Sequence, residues 1–549
     1  MDDAIHREMM APFWRSLPPA LARRLLINAT GQAHLLACAS LAMQMAEANQ
    51  PNLTGLTGLA AELLVAAWMA DPLHGPTARH VAALPPVFIH PELAKAAKII
   101  AATFRPPDRT ARLEALEAAG DWDAMRIMVE RELSLAPGNC FWRWHGWHHG
   151  LARIGGVDGD TGQALAWEIL EGLKAFPPLA PVGKWLEAQF ELCTGRTSAA
   201  VGLLERHADV LGPWHLERLA RARVAEGNQT AAIQALLTLL RQQPWRINAL
   251  LTVRDLQHGL AGAVSIPQSS TAICLYSFNK AEELQATLAS LAASERGGAI
   301  IRILDNGSTD ATPEVCAAWQ ARLGEACTVI RLPVNVGAAP ARNWLLALPE
   351  VQACEFVAFL DDDVELPAEW LGRLHAGLAA FPTAGVAGAR VLEDASPGLV
   401  QQVEQFFQED AAFAMADVHR HALDLGQFTY CRPCLSVTGC CHLFRRAALA
   451  AVPAFDIRYS PTQYDDVDHD FALTKAGFPA LYQGHLAIRH KKRSGRGLLA
   501  SAAESANAAA NFHKLAGKWS GNKAALQQQA LAWSAALVGL AVADQSAFS

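Results

Sequence analysis

Apolar and polar positions alternate with two different rhythms along this chain. From 271 onward, short hydrophobic runs are followed by stretches of helical spacing. Residues 271–277, 299–304, 328–332 and 356–360 read as strands, and 281–291 and 338–348 read as helices. Strands alternating with helices predict a mainly parallel sheet covered on both faces. Ligands in such sheets sit beyond the carboxyl ends of the strands.

The first half has a helical rhythm throughout. In 1–110, Leu21, Leu25 and Leu26, then Leu35, Leu36 and Leu41, fall on single helix faces, with Pro85-Pro86 and Pro106-Pro107 as punctuation. Residues 111–260 repeat a helix-turn signal around Gly120, Gly162, Gly195 and Gly227, the last two steps being 33 and 32 residues. Helix-pair repeats have a period of about 34 residues. The segment resembles a degenerate tetratricopeptide array, clearest over 216–249. Such arrays expose a groove, so a protein partner or a plain spacer role are both expected. "AGAVSIPQSS" reads as a linker, and beyond 497 the chain returns to Ala-rich helix interrupted at Gly521. The expected units are 1–110, 111–260, 261–497 and 498–549.

At 549 residues the chain exceeds one core. Its net charge of -7 is a poor match to nucleic acid, and none is expected as a partner. The charged start, 1–8, lacks a signal-peptide layout, and the apolar stretch 530–543 is short for a membrane span. It reads as a buried C-terminal helix, leaving at most peripheral membrane contact. Eleven cysteines without disulfide rhythm suit a reducing cytoplasm, at most at the inner face of the membrane. Cys431, Cys434, Cys440, Cys441 and His442 invite a zinc reading. Adjacent Cys440 and Cys441 in a strand-like run would point to opposite faces, which argues against that grouping.

The chemistry gathers at the strand ends. The first strand ends at Tyr276-Ser277-Phe278-Asn279, the second at Asp305-Asn306-Gly307-Ser308, and the strand 356–360 at Asp361-Asp362-Asp363. "NVGAAPARN" leads into a helix and places Arg342 one turn inside it. Neighbouring carboxylates at a core edge repel unless a cation holds them. Hard carboxylate oxygens suit Mg²⁺ or Mn²⁺. On extended backbone, Asp361 and Asp363 face one side and Asp362 the other.

With these motifs stated, residues 271–491 resemble the family 2 glycosyltransferases, which have the GT-A nucleotide-sugar fold. The matching segments, in order, are "LYSFNKAEEL", "ILDNGSTDAT", "NVGAAPARN", "FLDDDVELPAEWL" and "YDDVDHDFALTKAGFPALYQGHLAIRH". The resemblance implies an α/β GT-A domain, Rossmann-like, behind an all-α helical-repeat region. It implies that Ser277, Asn279, Asp305, Arg342, Asp361 and Asp362 line the nucleotide-sugar pocket. Asp361, Asp363 and His490 would hold Mn²⁺ or Mg²⁺, with Asp363 the more direct ligand. Asp466, or its neighbour Asp465, would be the catalytic base of an inverting enzyme. The strand end Tyr276-Ser277-Phe278-Asn279 departs from the family's Pro-Thr-Tyr-Asn, so the base of the nucleotide stays open, with UDP the first expectation. Asp465, Asp466, Asp468 and Asp470 all crowd one segment, and a long insertion, 391–434, falls where the family shapes its acceptor site.

The expected function is transfer of a sugar from a nucleotide-diphosphate donor to an acceptor hydroxyl, on a surface glycan or a protein. The basic run 491–497 reads as a clamp over the diphosphate or as a solvated linker. A nucleotidyltransferase would carry a Gly-rich loop after the first strand, and "FNKAEEL" has no glycine. The remaining alternative is a scaffold whose repeats bind partners beside an inactive transferase-like domain.

Overall fold

The computed structural model describes residues 12–546, apart from 49–54, 109, 120, 157, 266–269, 410, 417–418, 420–421 and 492–501. The charged start, Gly120 and nearly all of the basic run after Lys491 therefore lie outside the described residues. Among the described residues, ten strands form a single mixed sheet: β1 (Thr271–Ser277), β2 (Ile300–Asp305), β3 (Cys327–Arg331), β4 (Phe356–Leu360), β5 (Val364–Glu365), β6 (Val386–Glu393), β7 (Val400–Gln402), β8 (Cys431–Cys434), β9 (Cys441–Arg445) and β10 (Ala480–His490). The main order is β3-β2-β1-β4-β9-β6-β10-β5, with β7 on β6 and β8 on β10. The first four strands are parallel, and β9 enters antiparallel between β4 and β6. Parallel pairing puts the ends of β1, β2 and β4 on one edge: Ser277 pairs with Asp305, and Leu275 with Leu360. The polar residues that follow those strands thus share one rim.

The apolar runs fix this arrangement. In β1 only Tyr276 escapes full burial, and β4 is buried from Val357 to Leu360. Strands buried on both faces read as continuous hydrophobic runs, which is why these segments lack strict alternation. The expected strands and helices of this half agree with the observed ones to within two residues at their ends.

The N-terminal half is a succession of helices joined by short turns. Gly195 and Gly227 take positive φ, of 76° and 77°, and end helices in the repeat as expected. Gly162 does not. It lies inside the helix Gly159–Lys174, against the helix Cys140–Arg153, where a Cβ on it would fall 2.7 Å from the Gly150 carbonyl oxygen. Close backbone packing, rather than a turn, accounts for that glycine. Helix pairing of this kind is common to several solenoids and does not single out the tetratricopeptide class.

One continuous apolar core runs from Trp14 through the sheet to Ala541. Arg432, wholly buried in β8, shows how tightly the parts are joined. It donates to the Leu26 and Ile27 carbonyls and to Ser534 Oγ. The helix Lys523–Ser546 therefore closes over both halves. The helical stretch Glu504–Val542 is long and apolar enough to cross a bilayer by length and composition, and half of its most apolar window is buried inside the fold.

Candidate active site

The three adjacent aspartates are each held differently. Asp361 lies 3.6 Å from Arg342 Nη2 and 3.9 Å from His490 Nε2. Asp362 turns toward β1, accepting from Ser277 Oγ at 2.7 Å and from Lys280 Nζ at 2.9 Å. Asp363 divides its carboxylate. Oδ2 takes Lys280 Nζ at 2.8 Å, and Oδ1 lies 2.9 Å from His490 Nε2. Burial pushes Asp362 up to about 6, against the pull of Lys280. Burial also raises Asp361, with Arg342 opposing it. For Asp363 burial is outweighed by His490 and Lys280, which hold it below the usual carboxylate range.

This cluster fits a divalent cation. One donor atom each from Asp361, Asp363 and His490 lies within 4.8 Å of the others. Asp363 Oδ1 and His490 Nε2 are buried and, despite their closeness, make no aligned hydrogen bond. His490 Nδ1 is 2.7 Å from Gln401 Oε1. An amide oxygen only accepts, so Nδ1 carries a proton toward Gln401, and Nε2 is the ring nitrogen turned to the aspartates, protonated beside them without a cation and free to ligate when one is bound. Carboxylates with one imidazole are a donor set for Mn²⁺ or Mg²⁺.

The nucleotide side is tied together by short polar links. Asp305 is buried at the end of β2, accepts from Ser308 N–H at 2.9 Å and pairs with Arg331 Nε at 3.2 Å. Asn279, at φ 52°, joins the ends of β1 and β2 by accepting from Thr309 N–H at 2.8 Å. Ser277 is spent on Asp362. Arg342 is buried, not open to solvent. It donates to Asp465 Oδ2 at 2.9 Å and to the Gly439 carbonyl at 3.3 Å. It thus brackets the metal-type cluster and the acidic helix.

That helix, Asp465–Lys475, fans its four aspartates apart. Successive residues turn by about 100°. Asp465 goes to Arg342, and burial lifts it to about 6. Asp468 accepts from Tyr459 Oη, Lys518 Nζ and Trp519 Nε1 at 3.1, 2.7 and 2.7 Å. Asp470 accepts from Ser436 Oγ at 2.8 Å and is fully buried. Asp466 alone is part-exposed, with Oδ2 accepting from Gly439 N–H at 2.9 Å.

Three contributors carried no role in the sequence reading. Lys280 stands beside Asn279 inside a quoted motif, and that adjacency was its only signal. Asn511 lies outside every motif. Its Nδ2 donates to the carbonyls of Tyr459, Thr462 and Gln463 at 2.7, 2.8 and 3.3 Å. It thereby holds the turn before Asp465, where Gln463 and Tyr464 both take positive φ, 78° and 70°. Lys518, on the same helix Ala502–Trp519, grips Asp468.

A parallel-sheet α/β domain with acids and a histidine at its carboxyl edge belongs to the nucleotide-binding class of folds. The family comparison narrows this: residues 272–452, about a third of the chain, match the family described as Glycosyl transferase family 2. No curated protein matches the chain. Among solved structures, GalNAc-T7 with UDP, GalNAc and Mn²⁺ aligns at TM-score 0.37 and 14% identity, over 46% of this chain and 48% of that one. The mannosyltransferase PcManGT of Pyrobaculum calidifontis, with GDP-Man and Mn²⁺, aligns at 0.36 and 16%, over 55% and 88%. S. aureus TarS aligns at 0.30 and 19%, over 41% and 37%. The chain thus spans about half the length of the first of these. Likenesses this loose say nothing about which sugar or acceptor this chain handles.

Proposed function

We propose that this chain transfers a sugar from a nucleotide-diphosphate donor to an acceptor hydroxyl, with inversion at the anomeric carbon. The observation that carries the reading is the sorting of acids about Arg342. On one side lie Asp361, Asp363 and His490, a donor set for a divalent cation. On the other lies Asp466, the one aspartate of its helix left reachable.

A divalent cation at Asp361, Asp363 and His490 supplies positive charge against the departing diphosphate. The protein's own groups do the rest. Asp305 and Asn279 shape the nucleoside end of the rim. Asp466 accepts the acceptor's hydroxyl proton as its oxygen attacks. Asp465 is held on Arg342 and is not free to compete. Uridine diphosphate sugars are the first donors to try, with a glycan or protein hydroxyl as acceptor and the helical repeats as a docking surface for a partner. The eleven cysteines are all free thiols and suit a reducing cytoplasm. A scaffold with a dead transferase domain has little reason to keep both halves of this acid set in place.

The test is nucleotide-sugar turnover across a donor panel, with and without Mn²⁺. We expect metal-dependent release of the nucleoside diphosphate from one donor class. Binding of a donor without turnover, in wild type and Asp466→Asn alike, would remove the enzyme reading.

A further inference from the structure

A second group of metal-ligating side chains converges among the described residues, away from the sheet edge. Asp255, Cys431 and His485 each offer one donor atom within 4.8 Å of the others. They come from three parts of the chain: the helix Ile247–Gln257, which ends the helical half, strand β8, and strand β10. We infer that this cluster is a zinc site that staples the helical half to the transferase sheet.

The backbone is shaped to deliver His485. In the parallel ladder of β6 and β10, Gln483 pairs with Ala389, yet Arg390 pairs with Ala487. Residues 484–486 form a bulge, a device that re-aims a side chain. Gly484 makes the bulge fit, because a Cβ there would lie 2.3 Å from the Phe428 carbonyl oxygen and 2.5 Å from that of Tyr430. The bulge is thus packed on the segment that leads into Cys431. Its product is His485 Nε2, 2.8 Å from Asp255 Oδ2.

The donor set is one nitrogen, one sulfur and one oxygen, which suits zinc better than a hard cation. Asp255 and Cys431 are both wholly buried, and Arg254 Nη1 lies 3.5 Å from Asp255 Oδ1, the oxygen that does not meet His485. Without metal the group is held by hydrogen bonds: the Cys431 backbone N–H donates to Asp255 Oδ2 at 2.6 Å, and the Cys431 thiol donates to Gln483 Oε1 at 2.9 Å. On loading, the Nε2 lone pair of His485 joins the metal, and the Cys431 thiol releases its proton to solvent. Gln483 Oε1, which also accepts from His485 N–H at 3.2 Å, lies beside the sulfur. A cavity of about 220 Å³, lined in part by His485, Thr252, Arg390 and Asp424, gives the ion a way in. The Cys-x-x-Cys spacing plays no part: Cys434 instead directs its thiol to the Ser436 carbonyl.

The full-length protein, purified from zinc-supplemented medium, should carry about one zinc per chain, and loading should release protons as the Cys431 thiol becomes a thiolate. Replacing zinc by Co²⁺ should produce a sulfur-to-cobalt charge-transfer band. Cys431→Ser should abolish the band, and His485→Gln should lose the stoichiometric zinc. Asp363→Ala should keep both, which separates this site from the sheet-edge cation and from the transferase reading. A wild-type protein without zinc and without the cobalt band overturns the inference. So does zinc content unchanged in His485→Gln, a variant that keeps the assay decisive should Cys431→Ser fail to fold.

Discussion

Two stretches of this chain crowd their aspartates, and the fold treats them in opposite ways. At 361–363 the chain turns between β4 and β5, and three carboxylates stay within reach of one another under Lys280, His490 and Arg342. At 465–470 the backbone is helical, and four carboxylates are sent to four different partners. Concentrated charge is what a cation needs. Dispersed charge lets one acid be singled out for proton transfer. Local secondary structure, acting on similar sequence, separates the two tasks.

That contrast breaks most severely at Asp363. Asp363→Ala removes the carboxylate shared by Lys280 and His490, and metal-stimulated turnover should fall to background while far-UV circular dichroism stays native. An alanine variant as active as wild type, with or without metal, would leave the sheet edge without its assigned task. Next comes the dispersed side. Asp466→Asn should lower kcat by about 10²–10⁴ while donor KM holds. Equal loss in Asp468→Asn instead would move the proton acceptor along the helix.

Lys280→Met sharpens the comparison rather than breaking it. Two buried carboxylates lose their cation. The metal-free protein should lose about 1–2 kcal/mol, less than the 3–5 typical of a broken buried pair. The discount reflects a Lys280 side chain that is 32% exposed. Added Mn²⁺ should then raise Tm more in the variant than in wild type. An identical shift in both proteins would mean that lysine and metal do not share Asp363. Asn511→Ala should cost about 1–3 kcal/mol by leaving buried carbonyls unpaired. It should also lower kcat more than donor KM, since the turn it holds presents Asp466.

The smallest effect concerns pH. Burial raises Asp470 well above the ordinary carboxylate value. For an acid whose folded value exceeds its unfolded one, the folded state binds the proton more tightly, so stability declines as pH rises between the two. Asp470→Asn should flatten the decline in Tm above about pH 4, the unfolded carboxylate value. A variant that follows the wild-type curve would show that Asp470 is not the group responsible.

Much of the α/β half was legible because its strands are continuous apolar runs ending in polar residues, a signal that survives without tertiary knowledge. The meeting of Asp361 and Asp363 was expected from an extended backbone, whereas Asp362 and Asp363 occupy a turn between β4 and β5, and it is that turn which brings Asp363 beside Asp361 and His490. The sorting of Asp465, Asp466, Asp468 and Asp470 was not legible, because it depends on Gly439, Ser436 and Lys518, which lie far away in sequence. Gly162 misled because a glycine in a turn and a glycine at a helix crossing look alike in one dimension. Cys431 drew attention through its Cys-x-x-Cys spacing, yet its neighbours are Asp255 and His485, brought in by a bulge that no periodicity announces.

The hold of Asn511 on the carbonyls of Tyr459, Thr462 and Gln463 bears on where this chain can be cut. Every recognisable motif ends by residue 490, and a protein trimmed there would look complete on paper. It would lack the helix that keeps two left-handed residues in place ahead of Asp465. Such a fragment should hold Asp466 on a slack tether and would also uncover Arg432, so the smallest unit that keeps the proposed site runs past the last motif through the helix Lys523–Ser546.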